Sequence, residues 1–327
     1  AAAAASRAYL FQPQAATRVR WDVNSDTPLP PDVAHAQNPP DGAILDYYLK
    51  SAATGPVTLE ILDGAGKLVR RYASTDELRI PDPYKLDVPA YWARPEQTLS
   101  GEAGMHRFIW DMHLAPAPGF PASLPMQAVV HNTPPGYTSP WVMPGHYTVK
   151  LTVDGQSYTR PLTIGMDPRV KTPRAGLMEQ FTLSKQMYDG LVKTSKALEE
   201  IRGLRAQLDE RKARAQGAAA DAIAAYQKQL EALEGSRGSL FAFFRGGASG
   251  PATLTTLRFG LSGLMGMLQE ADVAPTMPQV AAARKQRQTL EKLMAQWMAL
   301  KTTGLARVNA ALKAANLAPI TLPEKQM

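Results

Sequence analysis

The sequence predicts a two-part α+β chain, a β-sandwich in its first half and an antiparallel four-helix bundle in its second. Two patterns and the join between them carry this reading. Tyr147, Val149, Leu151 and Val153 alternate with Thr148, Lys150, Thr152 and Asp154, the period of two that gives a strand one dry and one wet face. From Leu177 onward, apolar residues recur instead at threes and fours, the spacing of a helix stripe. The stretch 144–173 joins the two regimes and closes on Thr172-Pro173, read as a helix N-cap with proline at the first helical position.

Taken in order, residues 1–42 read as an extended, proline-rich connector. Tyr9-Leu10-Phe11 and Val19-Arg20-Trp21 each suit a short strand, while Thr27-Pro28-Leu29-Pro30-Pro31 and Asn38-Pro39-Pro40-Asp41-Gly42 force extended chain and a turn. The sandwich is expected over 43–168. Leu45, Tyr47 and Leu49 form one alternating set and Val57, Leu59 and Ile61 the next. Asp63-Gly64-Ala65-Gly66 then turns the chain into a return strand in which Leu68 and Tyr72 share a face. A strand over 105–111 places His106, Phe108 and Trp110 on one side. Asp154-Gly155 supplies the positive φ of a tight hairpin, and Pro161, with no N–H to donate, assigns the returning strand to a sheet edge or a bulge. About six or seven short strands result, the number a sandwich needs.

Two irregular insertions interrupt the strands. One, 81–101, contains Tyr84, Tyr91 and Trp92; the other, 114–143, contains Phe120, Tyr137 and Trp141. Loops of this length are functional or docked on a neighbour, so their aromatics either form a partner surface or cover the open end of the sandwich.

The bundle is expected over 172–318, with 319–327 as a tail. Its first stripe runs from Leu177 through Met187, Leu191, Leu198 and Leu204 to Leu208, and its second carries Ile223, Tyr226, Leu230 and Leu233 and stops at Gly235. Leu254, Leu257, Leu261, Leu264 and Leu268 mark the third, in which Gly260, Gly263 and Gly266 predict close packing against a bulky neighbour such as Trp297 or Phe259. Thr276-Met277-Pro278-Gln279 is a capping box for the fourth, striped by Leu290, Leu293, Trp297, Leu300, Val308 and Leu312. Four amphipathic helices with short connections close most economically as an antiparallel bundle.

Composition narrows the chemistry. The 327 residues suffice for two domains, and the absence of cysteine excludes disulfides, zinc–thiolate sites and thiol nucleophiles. A net charge of +7, with basic and acidic residues intermixed, favours solubility over dedicated nucleic-acid binding. No apolar run is long enough for a transmembrane helix, although contact with a membrane surface stays open. Ala1 to Ala5 lack the features of a signal peptide and no initiator methionine is present, so the chain reads as a processed product or a fragment.

Catalytic constellations are sparse. The five histidines, His35, His106, His113, His131 and His146, show no metal-binding spacing, although His106 and His146 admit a meeting across the sheet. Asp46 and Asp111 are the carboxyls to nominate for glycoside cleavage, with local hydrogen bonding as the simpler role. Ser249 lacks a nucleophile-elbow frame. Arg202, Arg205, Arg211, Lys212 and Arg214 alternate with acids and read as a solvated helix face with i,i+4 pairs. Phe241, Phe243 and Phe244 beside Arg245 either anchor to a partner or a membrane surface, or plug the end of the bundle.

Several phrases carry a family resemblance. Leu10-Phe11-x-Pro13, Asp26-Thr27-Pro28-Leu29-Pro30, Asn38-Pro39-Pro40-Asp41-Gly42-Ala43-x-x-Asp46-Tyr47-Tyr48-Leu49, Gly104-x-His106-Arg107-Phe108-x-Trp110-Asp111 and Pro144-Gly145-x-Tyr147-Thr148-Val149 stand in the first half. Leu233-Glu234-Gly235, Ala271-Asp272-x-Ala274-Pro275-Thr276 and Val308-Asn309-Ala310-Ala311-Leu312 stand in the second. In this order they resemble the C-terminal region of bacterial sortilin-like (BNR-repeat) β-propeller proteins, often labelled glycosyl hydrolases, over nearly the whole chain. The sheet phrases are also similar to the Ig-like domain of the flagellar hook-capping family, an interaction sandwich.

The resemblance implies an Ig-like or fibronectin-III-like sandwich, an upstream propeller joined through residues 1–42, and a periplasmic, outer-membrane-associated or secreted setting. The propeller's S-x-D-x-G-x-T-W repeats do not occur here, so no hydrolase residue transfers. The expected function is therefore a non-catalytic scaffold with no cofactor, metal or nucleic acid, binding its own propeller or another protein of a larger assembly. Phe120, Tyr137, Trp141, Phe241, Phe243 and Phe244 are the contact candidates. The alternative is an ancillary domain of a polysaccharide-acting glycoside hydrolase.

Overall fold

A computed structural model describes residues 6–20, 32–34, 36, 39–78, 82, 86, 88–119, 132–133, 136, 138–235 and 251–323. The chain is an α+β protein, β-sheets followed by four helices, and it divides into two compact units. The sheet unit comprises Ala1–Pro116, Pro121–Phe181 and Ala271–Val273. The helical unit comprises Ala117–Phe120, Thr182–Glu270 and Ala274–Met327.

Among the described residues eight strands build the sheet unit: β1 (Ala8–Leu10), β2 (Ala16–Arg18), β3 (Ala43–Leu49), β4 (Thr58–Asp63), β5 (Leu68–Ala73), β6 (Gly104–Trp110), β7 (Gly145–Val153) and β8 (Gln156–Met166). They form a three-stranded sheet, β1-β3-β6, and a five-stranded one, β2-β8-β7-β4-β5, and one of the two curls into a half-barrel. The expected alternation is realised in β3, where Ala43, Leu45, Tyr47 and Leu49 are buried and the residues between them are half-buried. In β7 Tyr147, Val149, Leu151 and Val153 point inward. A single apolar cluster takes Leu45, Phe108 and Trp110 from the smaller sheet and Leu59, Val149 and Ile164 from the larger. Tyr47 is buried in it, and its hydroxyl donates to Ser100 O at 2.8 Å and accepts from Ser100 N.

Residues 6–20 do not behave as a connector. β1 pairs antiparallel with β3, and β2 pairs parallel with β8 through Ala16↔Ile164, Thr17↔Gly165 and Arg18↔Met166. Because β2 reaches only the end of β8, Pro161 lies on a stretch of β8 that β2 leaves uncovered, where a missing N–H costs nothing. The Asp154-Gly155 turn forms with φ of 47° and 80°. Asp154 also accepts from Thr54 N and Thr54 Oγ1, both at 2.8 Å, so the turn residue clamps a second loop. In β5 the expected shared face fails: a bulge between Ile61 and Leu62 shifts the register, so Leu68 is half-exposed while Tyr72 packs on Phe108.

The helices are α1 (Arg174–Lys212), α2 (Gly217–Glu234), α3 (Leu254–Leu268) and α4 (Met277–Ala299), the last running through a π-turn (Leu300–Gly304) into α5 (Leu305–Ala314). The capping box at Thr276 and Gln279 forms with both of its arms. Thr172, however, does not cap α1; its hydroxyl donates to Asp272 O at 2.6 Å, and Pro173 O receives the N–H of Leu177.

The helical unit has one apolar core to which all these helices contribute. Gln227 donates to Asp209 and Arg205 to Glu234, so α2 runs antiparallel to α1. Gly260 against Gln286 and Gln279 against Met267 make α3 and α4 antiparallel as well. The chain leaves α2 and enters α3 at one place, since a Cβ on Gly235 would lie 2.3 Å from Thr253 Oγ1. Accordingly α2 packs mainly on α5 and α3 on α4, two short helices succeeding one another beside a long one.

The glycines of α3 act differently from expectation. Gly260 is tight, but against Gln286 rather than Trp297 or Phe259, and Gly263 and Gly266 have open space where a side chain would go. The glycine that lets helices approach is Gly190 of α1, whose added Cβ would meet Leu261 at 3.0 Å and Leu290 at 3.2 Å. The π-turn has a cause of the same kind. Tyr226 inserts its ring where a Cβ on Gly304 would stand, 2.9 Å from Cε2, and its hydroxyl donates to Leu300 O at 3.0 Å, opening the i→i−4 ladder.

Candidate functional site: a buried arginine, tryptophan and histidine stack

The sheet unit concentrates its polar chemistry around Trp141. β2 delivers the first component: the pairing Arg18↔Met166 fixes Arg18, which is 2% exposed, and Arg20 follows two residues later on the same face. A short antiparallel contact delivers the second. Val142 N donates to Met112 O at 2.9 Å and Leu114 N to Pro140 O at 3.0 Å, which sets His113 opposite Trp141. Met112 takes a positive φ of 57° to make that approach, an uncommon backbone state for a residue with a side chain.

The groups stack in layers. The His113 ring lies 4.1 Å from that of Trp141, and the guanidinium carbons of Arg18 and Arg20 lie 5.9 and 5.6 Å from the Trp141 ring, within cation–π range. Arg18 donates to Val142 O at 2.8 Å and to the Asp272 carboxylate, and Arg20 donates to the same carboxylate oxygen at 3.0 Å. Asp272 is itself anchored: its carbonyl accepts from Thr172, and the neighbouring Ala271 carbonyl accepts from Gln180.

Two arginines thus share one buried carboxylate. Burial lowers the pKa of Arg18, but a guanidinium keeps its charge. Burial, more than the neighbouring guanidiniums, sets the state of the histidine in this cluster. His113 Nδ1 sits 2.7 Å from Asp111 O, and because a carbonyl only accepts, that nitrogen carries the proton. Burial, with Arg18 and Arg20 nearby, pushes His113 down to about 4 against a partial pull from Asp111. At neutral pH the imidazole is uncharged.

The other nominated residues are placed as follows. Trp141 is 7% exposed and spends its ring on the stack rather than on the surface. Phe120, Tyr137, Phe241, Phe243 and Phe244 lie outside the described residues, as do His35, His131 and Ser249. Asp46 receives Arg107 Nε at 2.8 Å and Nη2 at 3.0 Å from the facing position of β6. Asp111 accepts from His113 N. The register that sets Trp110 against Ala43 puts Asp111 about four residues beyond Asp46, roughly 13 Å along the strand and outside either carboxyl spacing of glycoside cleavage.

His106 and His146 stand in different sheets and do not meet. His106 instead contacts Glu102 O at 2.7 Å, and His146 contacts Thr163 at 3.3 Å. Of the nominated basic residues, Arg205 pairs with Glu234 of the next helix and Arg211 with adjacent Glu210, while the i,i+4 pairs of α1 are Lys185–Asp189 and Lys196–Glu200. Among the described residues no group of three or more His, Asp or Glu side chains is arranged to hold a metal ion, and no helix is long and apolar enough to cross a membrane.

Sequence reasoning missed Arg18, His113 and Asp272 as a unit. Arg18 and Asp272 are separated by 254 positions, and the only local hint was an aspartate just before the capped start of α4. Compared with models of known protein families and with characterised proteins, the chain matches none.

Proposed function

We propose that this chain is a non-catalytic scaffold and protein-interaction region, an Ig-like sandwich followed by an antiparallel four-helix bundle. It serves an exported bacterial β-propeller protein in the periplasm, at the outer membrane or outside the cell. One observation carries the reading: the ionisable groups best suited to chemistry are committed to bonds inside the sheet unit. Asp46 is held by Arg107, Asp272 by two arginines, and His113 by a backbone carbonyl. Groups so committed fix a shape, which is what a binding scaffold requires.

The test is cross-linking of native material followed by mass spectrometry, together with a variant in which Phe243 and Phe244 are both replaced by serine. The expected result is a captured protein partner whose binding weakens in the variant while the melting temperature holds. Full retention of binding contradicts the assigned contacts. Hydrolysis on a glycan panel, lost in Asp111→Asn, would replace the scaffold reading with the glycosidase one.

A further inference from the structure

Past α5 the backbone turns off the helix at Asn316, with a positive φ of 56°, and residues 317–323 cross α1 and α5 as neither helix nor strand. Side chains hold this segment by its backbone. The Asn309 amide of α5 donates to Ile320 O and accepts from Ile320 N, both at 2.9 Å. The Gln207 amide of α1 does the same one residue on, donating to Thr321 O at 2.8 Å and accepting from Thr321 N at 3.0 Å. Arg211 adds a bond from Nε to Ala318 O at 3.3 Å. Ile320 is 1% exposed and reaches the apolar core of the helical unit, while Pro319 and Thr321 on either side of it are exposed. Gly203 of α1 leaves the room that Pro323 fills, since an added Cβ would lie 3.1 Å from the proline ring.

We propose that this face of α1 and α5 is a recognition site for an extended, proline-flanked aliphatic peptide, filled in cis by segment 317–323 and able to take the same segment from a second copy of the chain. A primary amide presents a donor and an acceptor, the pair a neighbouring strand would present, so two of them in succession bind extended backbone whatever its side chains. Selectivity then comes from the pocket under Ile320. Prolines at 319 and 323 hold the free peptide close to its bound form, which lowers the cost of ordering it. The amides that grip the segment belong to α1 and α5, so the site outlasts its departure. A second copy is the occupant these contacts select, because it carries the identical anchor and prolines, and exchange of one element between copies restores every contact it breaks. The site stands independently of the scaffold role and of its aromatic contacts.

The experiment uses full chains. In Ile320→Asp the anchor no longer suits an apolar pocket, which leaves the site open. A labelled peptide, Leu-Ala-Pro-Ile-Thr-Leu-Pro, is expected to bind that variant at least about tenfold more tightly than wild type by fluorescence anisotropy, because in wild type the tethered segment competes at high effective concentration. The same peptide with aspartate for its isoleucine should not bind. The double variant Gln207→Leu and Asn309→Leu has the converse defect, a free segment and no amides. Mixed with Ile320→Asp, it should give a heterodimer in native mass spectrometry that neither variant forms alone. Absence of peptide binding to an Ile320→Asp chain with wild-type circular dichroism overturns the site, and peptide binding without a heterodimer overturns the second copy as its occupant. Where Ile320→Asp loses its helices, hydrogen exchange on wild type decides: the Ile320 and Thr321 amides should exchange at least about tenfold faster than the buried turns of α1. Equal protection would make the segment a fixed part of the bundle and overturn the proposal.

Discussion

The sheet unit and the helical unit solve burial in opposite ways. The sheet unit sets buried charge beside an alternating apolar core: the Arg18 guanidinium and the Asp272 carboxylate are buried, with part-buried Arg20 and the neutral His113 ring packed on the same Trp141. The helical unit buries leucine stripes; among the described residues its fully buried polar side chains are neutral ones such as Thr194, whose hydroxyl returns to Gly190 O at 2.7 Å, and its least exposed ion pair, Lys301–Glu200, is only part-buried. Buried charge is costly unless every member is paired, whereas an apolar stripe is sensitive mainly to volume. The sheet unit should therefore respond to charge and pH, and the helical unit to side-chain size.

The largest effect tests the charged half of this contrast. Asp272→Asn leaves Arg18 buried without its carboxylate and should destabilise the sheet unit by about 3–5 kcal/mol, measured by urea unfolding through Trp110 and Trp141 fluorescence. Acid should act on the same cluster. His113 titrates at about 4 in the fold against an ordinary 6.5, so the unfolded chain binds the extra proton first. Its contribution is fully present above pH 6.5 and is lost as the pH falls toward 4, roughly 3 kcal/mol in all. His113→Gln should flatten that part of the stability–pH curve, and an unchanged slope would assign it to other groups.

The apolar half is tested by volume. Gly190→Leu forces a side chain between Leu261 and Leu290 and should cost the helical unit about 1–3 kcal/mol, seen in helical circular dichroism and in Trp297 fluorescence. Tyr226→Phe removes the hydrogen bond to Leu300 O at the π-turn and should cost about 1 kcal/mol by the same measurement. Gly263→Ala fills open space on a helix and should raise the melting temperature slightly, by the equivalent of at most about 1 kcal/mol. A lowered melting temperature would restore the close packing that the glycine spacing first suggested.

The contrast also explains what was legible in the sequence. Period-two alternation in β3 and β7, the Asp154-Gly155 turn, the helix stripes and the Thr276 capping box are local rules, and each reappears in the fold. What escaped was long-range. A three-residue strand such as β2 has no periodicity to read, and its parallel pairing with β8 joins Arg18 to Met166. An arginine reads as surface until its carboxylate is known, so the charge cluster was invisible where it matters most. Gly190 carries no local signal, because its role depends on leucines of two other helices.

The most direct test of this account is hydrogen exchange with mass spectrometry on wild type and Asp272→Asn at pH 7. The expected result is that β2, β8 and residues 140–142 lose protection in the variant while the buried turns of α3 and α4 keep theirs. Equal loss in both units, or none in the sheets, would contradict the claim that buried charge holds one unit and apolar volume the other.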